Sequence, residues 1–174
     1  MTRIYLAGSM RNQAIVDLAN KLQHDTGAEV FADWCAVGPE ADDHWRTYCM
    51  KRGLTYKQGL ETAIAKNVFA FDKENIDMAD IMVVAYPAGK SAHLELGYHI
   101  GRGKPGFILL DEQDRWDIML QFATGIASNY DELLVYLATS KPVCDRCTGS
   151  GMRAPAAPDI IKRLEENSDR DYEV

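Results

Sequence analysis

Glu95 has the strongest claim to chemistry in this 174-residue chain. It stands between Leu94 and Leu96, in or just beyond the first turn of a helix that Ser91 caps. The apolar run Ile81-Met82-Val83-Val84-Ala85 lies ahead of it and breaks at Pro87 and Gly89. A carboxylate so placed is either an exposed partner for the helix dipole or a group in chemical use. Asp72, Asp77 and Asp80 precede the apolar run; read alone, such an acidic stretch is a solvated, capped turn. A second candidate is Gly8-Ser9-Met10-Arg11, where backbone N–H groups at a helix amino end, a hydroxyl and a guanidinium would suit an anion. Read locally, though, Ser9 caps the helix and Arg11 is a solvated surface residue. There is no G-x-G-x-x-G, which argues against a dinucleotide cofactor; no cofactor is expected. Trp34 and Trp45 fall in one polar segment from Asp33 to Tyr48. Two indoles there could wall a flat ligand such as a base, or simply pin the segment by packing. Cys144-Asp145-Arg146-Cys147-Thr148-Gly149-Ser150-Gly151 has the form of a zinc knuckle. Cys144 and Cys147 supply only two of the four ligands a structural zinc needs. Cys35 and Cys49 form no second C-x-x-C, so two free thiols in a flexible tail are expected there, with a zinc shared between subunits as the alternative.

The elements around these residues alternate. Arg3 to Ala7 reads as a strand, Met10 to about Thr26 as a helix stopped by Gly27, and Ala28 to Ala32 as a second strand. Asp33 to Tyr48 reads as a connection, and Leu54 to Val68 as a helix with Leu60, Ile64 and Val68 on one stripe. Phe69 to Asp80 leads into the central strand, and Leu94 and Tyr98 share one face of the helix that follows. Gly101 to Gly106 is a turn, and Gly106 to Leu110 a fourth strand. Trp116 to Phe122 is a short helix, Ala123 to Ala127 a short edge strand, and Tyr130 to Thr139 a closing helix. An uninterrupted apolar run such as 81–85 marks a strand buried on both faces. The expectation is an α/β domain over residues 1–139, one doubly wound, flavodoxin- or Rossmann-like parallel sheet of about five strands with helices on both faces. Residues 140–174 form a tail with the Cys pair, an Ala-Pro linker and a short helix over Asp159 to Asn167.

Composition narrows the partners. The net charge is −7 with 47% hydrophobic and 26% charged residues, which disfavours a nucleic-acid polymer or an anionic membrane surface as partner while leaving room for a local phosphate pocket. No apolar stretch is long enough to span a bilayer. Met1-Thr2-Arg3 runs straight into a strand with no signal-peptide layout, and the four cysteines read as reduced thiols. The expected compartment is the cytoplasm.

Four pieces together resemble the nucleoside 2-deoxyribosyltransferase family and the related 2′-deoxynucleoside 5′-phosphate N-hydrolase. They are Tyr5-Leu6-Ala7-Gly8-Ser9-Met10-Arg11, Asp72 ahead of Ala79-Asp80, Lys90 through Tyr98, and Gly103-Lys104-Pro105, spanning about residues 3 to 137. The resemblance implies that Glu95, before Leu-Gly-Tyr, is the nucleophile, that Tyr5 orients its carboxylate, and that Asp72, eight residues before Asp80, contacts the base or its leaving nitrogen. Asn129 matches an asparagine that reaches the sugar from a neighbouring subunit, so a homodimer or larger assembly is implied. In two places the chain departs from the transferases. Gly89 stands where they carry a second aspartate, and the Gly-Ser-Met-Arg loop resembles the one with which the N-hydrolase holds a 5′-phosphate. The resemblance thus overturns the local reading of Ser9 and Arg11. The substrate contacts it implies are Gly8, Ser9, Arg11, Trp34, Asp80, Gly89, Ser91 and Asn129, with Ser9, Arg11 and Ser91 gripping phosphate.

The chemistry fits those residue types. Breaking a C1′–N bond develops oxocarbenium character that a carboxylate beneath the sugar can stabilise and then attack. Glu95 must be ionised for this, which a helix amino end favours. The base must accept a proton, for which Asp72 is the candidate. Lys90 is explained by ordinary solvation, and His93 is assigned no role. The leading expectation is cleavage of deoxyribonucleoside 5′-monophosphates to free base and 2-deoxyribose 5-phosphate through a covalent deoxyribosyl-enzyme. The alternatives are base exchange between deoxynucleosides and a nucleotide-binding module without turnover.

Overall fold

Successive residues of the central strand are all apolar and buried, and alternate ones pack against opposite layers. In the computed structural model, which describes residues 1–111 and 117–140, the elements are β1 (Arg3–Ala7), α1 (Ala14–Thr26), β2 (Glu29–Phe31), a 3-10 turn (Asp33–Val37), α2 (Ala41–Lys51), α3 (Tyr56–Leu60), α4 (Ala63–Met78), β3 (Ile81–Ala85), α5 (Lys90–Gly101), β4 (Gly106–Leu109), a second 3-10 turn (Ile118–Phe122), β5 (Gly125–Ala127) and α6 (Tyr130–Thr139). The strands make one five-stranded sheet in the order β2-β1-β3-β4-β5, every pair parallel. This is the doubly wound α/β fold. Ile4, Leu6, Ile81, Val83, Phe107 and Ala127 pack beneath Ile15 and Leu22 of α1 and Leu133 and Leu137 of α6. Tyr5, Ala7, Met82, Val84 and Ile108 face the other way, against Ile76 of α4 and Ala92 and Leu96 of α5. In this strand order the direction of winding reverses between β1 and β3, and a ligand crevice forms outside their carboxyl ends.

The helices depart from the sequence reading in instructive places. α1 starts at Ala14, not Met10, because Ser9 Oγ accepts from the Arg11 N–H and Asn12 Oδ1 from the Ala14 N–H, holding 9–13 as a turn. Its end is where expected: Gly27 takes φ +66° and donates to the Gln23 carbonyl. The segment read as a connection, 33–48, contains the 3-10 turn and most of α2. Asp42 and Asp43 in α2's first turn and Lys51 in its last complement the helix dipole. The helix expected over 54–68 is two. Thr55 and Gln58 form a capping box on α3, and Thr62 Oγ1 accepts from the Ala65 N–H to restart the chain as α4. α4 runs on to Met78, so Asp72 and Asp77 lie on a helix, with Lys73 Nζ donating to Asp77 Oδ2 one turn along at 2.6 Å. Leu60, Ile64 and Val68, which read as a buried stripe, are 45%, 44% and 57% exposed. α5 is capped by Gly89 rather than Ser91, and it buries Ala92, Leu96 and His99 rather than Leu94 and Tyr98.

Gly106 lets α5 lie close to β4: a Cβ there would stand 2.6 Å from Leu96 Cδ1 and 2.9 Å from Ile100 Cγ1. Cys35 and Cys49 are free thiols. No helix among the described residues is long and apolar enough to cross a membrane. Trp116, Cys144, Cys147 and the helix expected over 159–167 lie outside the described residues.

His99 is fully buried under α5. The carbonyls of Ile76 and Pro105 lie beside it, yet neither ring nitrogen completes a hydrogen bond among the described residues. Burial and the nearby Lys104 charge lower its pKa from the ordinary 6.5 to about 4. Because the folded value is depressed, the unfolded chain takes the proton first. Its contribution to stability is full above pH 6.5 and is lost as the pH falls toward 4. Urea denaturation across that window is expected to show stability falling with pH, and His99→Leu is expected to flatten the fall; an unchanged slope would contradict this.

Candidate active site

The site is built on the sheet face that carries Tyr5. That side chain is 1% exposed and stacks on Phe31 with ring centroids 5.3 Å apart, and Phe31 in turn meets Phe71 of α4 at 5.7 Å. Phe71 ties this stack to α4, which with α5 walls a groove. Asp72 of α4 and Glu95 of α5 line that groove together with Phe69, Ile76, Ser91 and Tyr98, around a hollow of about 300 Å³. Spacing explains the wall: residues 69, 72 and 76 recur on one face of α4, and 91, 95 and 98 on one face of α5.

The three acidic groups feel one another. Burial, followed by the charges of Glu95 and Asp72, holds the Tyr5 phenol far above its usual range, so it stays protonated. Glu95 is pushed up to about 7, first by burial and then by the Asp72 charge. Burial raises Asp72 as well. Here the structure corrects the sequence reading, in which the helix amino end keeps Glu95 ionised: withdrawal from water outweighs the dipole. The Asp72 charge is the second cause of the Glu95 shift, so the two carboxyls are coupled electrostatically. The cation next to them is occupied elsewhere: Lys73 Nζ donates to Asp77 Oδ2 at 2.6 Å, and Tyr98 Oη donates to Asp77 Oδ1 at 2.7 Å.

The two loops at the carboxyl ends of β1 and β3 meet beside this groove. Gly8 passes so close to its neighbours that a Cβ would stand 2.6 Å from Ile15 Cδ1 and 3.1 Å from the Ala85 carbonyl oxygen. The Ser9 N–H donates to the Pro87 carbonyl at 3.1 Å and ties one loop to the other. Arg11 reaches Asp43 of α2 at 3.2 Å, both side chains being well exposed, 69% and 59%. Such a pair holds weakly in water, so the guanidinium remains open to a stronger anion. Ser91, exposed in the first turn of α5, belongs both to this loop and to the groove wall.

Other residues singled out in the sequence stand apart. Asp80 lies at the amino edge of the sheet, where its Oδ2 accepts from the Arg3 N–H at 2.9 Å and its N–H donates back to the Arg3 carbonyl; it pins β1 to β3 and does not join the carboxylate pair. Trp34 donates from Nε1 to the Leu6 carbonyl at 2.7 Å and packs against both cores. Asn129 Oδ1 accepts from the Glu132 N–H and caps α6. Trp45 belongs to a different and larger hollow, about 460 Å³, with Asp42, Asp43 and Tyr56, where it meets Tyr56 edge-on at 5.9 Å. That hollow is wider but contains none of the raised carboxyls, so size does not locate the chemistry. Phe69, Ile76 and the Lys73–Asp77–Tyr98 cluster went unnoticed in the sequence. Their signal is a helical spacing that appears only once α4 is known to pass through 69–77.

Comparison with protein-family models and with curated proteins finds no match to the chain. Functional weight therefore falls on geometry: two half-buried carboxyls of raised pKa within electrostatic reach of a buried phenol, next to a paired loop that offers hydroxyls and a guanidinium. One acid–base pair of this kind can hold a carboxylate and a proton donor in the same small space. Asp72→Asn is expected to lower the titration midpoint of Glu95 from about 7, read by carbon NMR of the labelled carboxyl. It should stay above 4.5, because burial is the larger cause. An unmoved midpoint would mean that the two groups are not coupled.

Proposed function

We propose that the protein cleaves the N-glycosidic bond of 2′-deoxyribonucleoside 5′-monophosphates. The observation that carries this reading is the Glu95–Asp72 pair with Tyr5 behind it. The resemblance to deoxyribosyltransferases and the N-hydrolase adds the nature of the substrate. A Glu95 oxygen, as carboxylate, attacks C1′ while the C1′–N bond breaks, and the leaving nitrogen takes a proton from Asp72, whose pKa burial raises. The two carboxyls then differ as the reaction needs: one becomes an ester, the other an ionised base. Water, deprotonated by Asp72, attacks C1′ of the glycosyl ester, releasing 2-deoxyribose 5-phosphate and leaving Glu95 as carboxylate and Asp72 protonated. Tyr5, locked in its protonated form, donates toward Glu95 and steers it. A groove poor in water favours this charge redistribution over an exposed one.

Ser9, Arg11 and Ser91 supply the grip for the 5′-phosphate, with Arg11 exchanging Asp43 for the dianion. The free thiols of Cys35 and Cys49 fit a reducing compartment, in keeping with the cytoplasm. The enzyme works as a homodimer in this reading. The exposed apolar side chains Leu60, Ile64 and Val68 continue onto Phe69 and Leu94 at the groove rim, 67% and 77% exposed, and a second copy would cover them.

The test is a panel of deoxynucleosides and their 5′-monophosphates, with and without a free acceptor base. Monophosphates are expected to give free base and sugar phosphate, and Glu95→Ala is expected to abolish this with an unchanged circular dichroism spectrum. Wild-type rates in that variant would remove the mechanism, and a new nucleoside formed only with acceptor would mean base exchange instead. Arg11→Ala is expected to lower kcat/KM for monophosphates by about 1.5–3 kcal/mol, roughly ten- to a hundred-fold, through KM and with little effect on nucleosides. Equal losses on both substrates would exclude a phosphate role.

A further inference from the structure

We propose that Asp77 is a positioning residue that keeps a cation off the carboxyls of the groove: it holds the Lys73 ammonium in an ion pair, so that Asp72 and Glu95 keep no counter-charge. The charge placement rests on geometry. Its consequence for turnover rests on the cleavage reading of the same groove.

Lys73 follows Asp72 on α4. Among the described residues it is the one cation lining the hollow, yet it pairs with neither carboxyl. Its Nζ donates instead to Asp77 Oδ2 at 2.6 Å, one helical turn along, and lies 5.2 Å from the centre of the Tyr98 ring. Asp77 is also bonded from the side of α5. Tyr98, one turn after Glu95, donates from Oη to Asp77 Oδ1 at 2.7 Å. Arg102 Nη1 stands 3.5 Å from the same oxygen and donates to Tyr98 Oη at 3.1 Å. Lys104 is engaged by backbone, its Nζ donating to the Asp77 and Ala79 carbonyls. One carboxylate thus gathers the cation of the groove and ties α4 to α5.

The choice of partner has a chemical consequence. The titratable groups around Glu95 are Tyr5 of β1, Asp72 and Lys73 of α4, and Tyr98 of its own helix. An opposite charge brought against a carboxyl favours its ionised form. Lys73 on Asp72 would strip the proton that the departing base needs; on Glu95 it would tie up the attacking oxygens. Asp77 competes well for this cation, because the bonds from Lys73 and Tyr98 hold its own pKa below the ordinary carboxylate value. It is therefore ionised throughout the range in which Glu95 titrates. Without that charge, the remaining anions lining the hollow are Asp72 and Glu95.

The experiment compares Asp77→Asn, Lys73→Met and the two combined, with the Glu95 midpoint read by carbon NMR of the labelled carboxyl. That readout needs no turnover. An asparagine oxygen still accepts from Tyr98, so the tie between the helices is kept while the charge is lost. Asp77→Asn is expected to lower the midpoint from about 7 by about 1 or more, the effect of an opposite charge at contact. Lys73→Met is expected to leave it near 7, and the combined variant to return there; loss of the Asp77 charge or loosened packing would give no such recovery. On deoxyribonucleoside 5′-monophosphates, kcat is expected to fall about ten-fold in Asp77→Asn and to recover in the combined variant, with KM little changed. A midpoint still at about 7 in Asp77→Asn, or one lowered equally in the combined variant, would overturn the proposal. The expected midpoints from a wild type that cleaves nothing would uphold the charge placement and remove the cleavage reading.

Discussion

Withdrawing two neighbouring carboxyls part-way from water is the constraint on which the rest of the molecule turns. An ionised carboxylate withdrawn from water is costly, and two side by side are costlier still. For Asp72 and Glu95 that cost shows in the pKa values, both raised, Glu95 to about 7. A nearby lysine could have cancelled the charge, but Lys73 is bonded to Asp77 instead.

Holding such a pair in place needs a rigid frame, and the sheet provides it. Tyr5 and Met82 are paired across β1 and β3 and buried on one face, while Leu6 and Val83 are buried on the other. Two independent cores therefore clamp the central strands, and a unit clamped on both faces can tolerate polar strain at its rim. The topology also selects the place. β1 and β3 are neighbours although far apart in the chain, so the loops after Ala7 and Ala85 converge and bond to each other through Ser9 and Pro87.

Much of this was readable from residue types alone. The uninterrupted runs at 3–7 and 81–85 announce strands buried on two faces, and Gly27 announces a helix end. The sheet and its crossovers follow. Glu95, Tyr5 and Asp72 emerge from a local pattern and a resemblance, and the structure brings the three together. What stayed hidden depends on contacts distant in sequence or on competing local bonds. Ser9 and Asn12 delay α1 by bonding their own neighbours, and Thr62 extends a helix through Asp72 where the acidic residues suggested a turn. Asp80 carried the right spacing but sits at the opposite edge of the sheet, because a strand separates it from the crevice. The rise of the Glu95 pKa stayed hidden for a similar reason: the dipole that favours ionisation is local and visible in sequence, whereas burial is set by the whole fold.

The central claim is that Glu95 itself takes the sugar. The most direct measurement is mass spectrometry of the protein after incubation with a 2′-deoxy-2′-fluoro-arabinonucleoside 5′-monophosphate, whose fluorine slows breakdown of a glycosyl ester. The expected result is a mass increase equal to one fluorosugar phosphate, mapped by digestion to the peptide carrying Glu95, with one equivalent of base released. Base release with the unmodified mass retained, or the adduct on another residue, would contradict it.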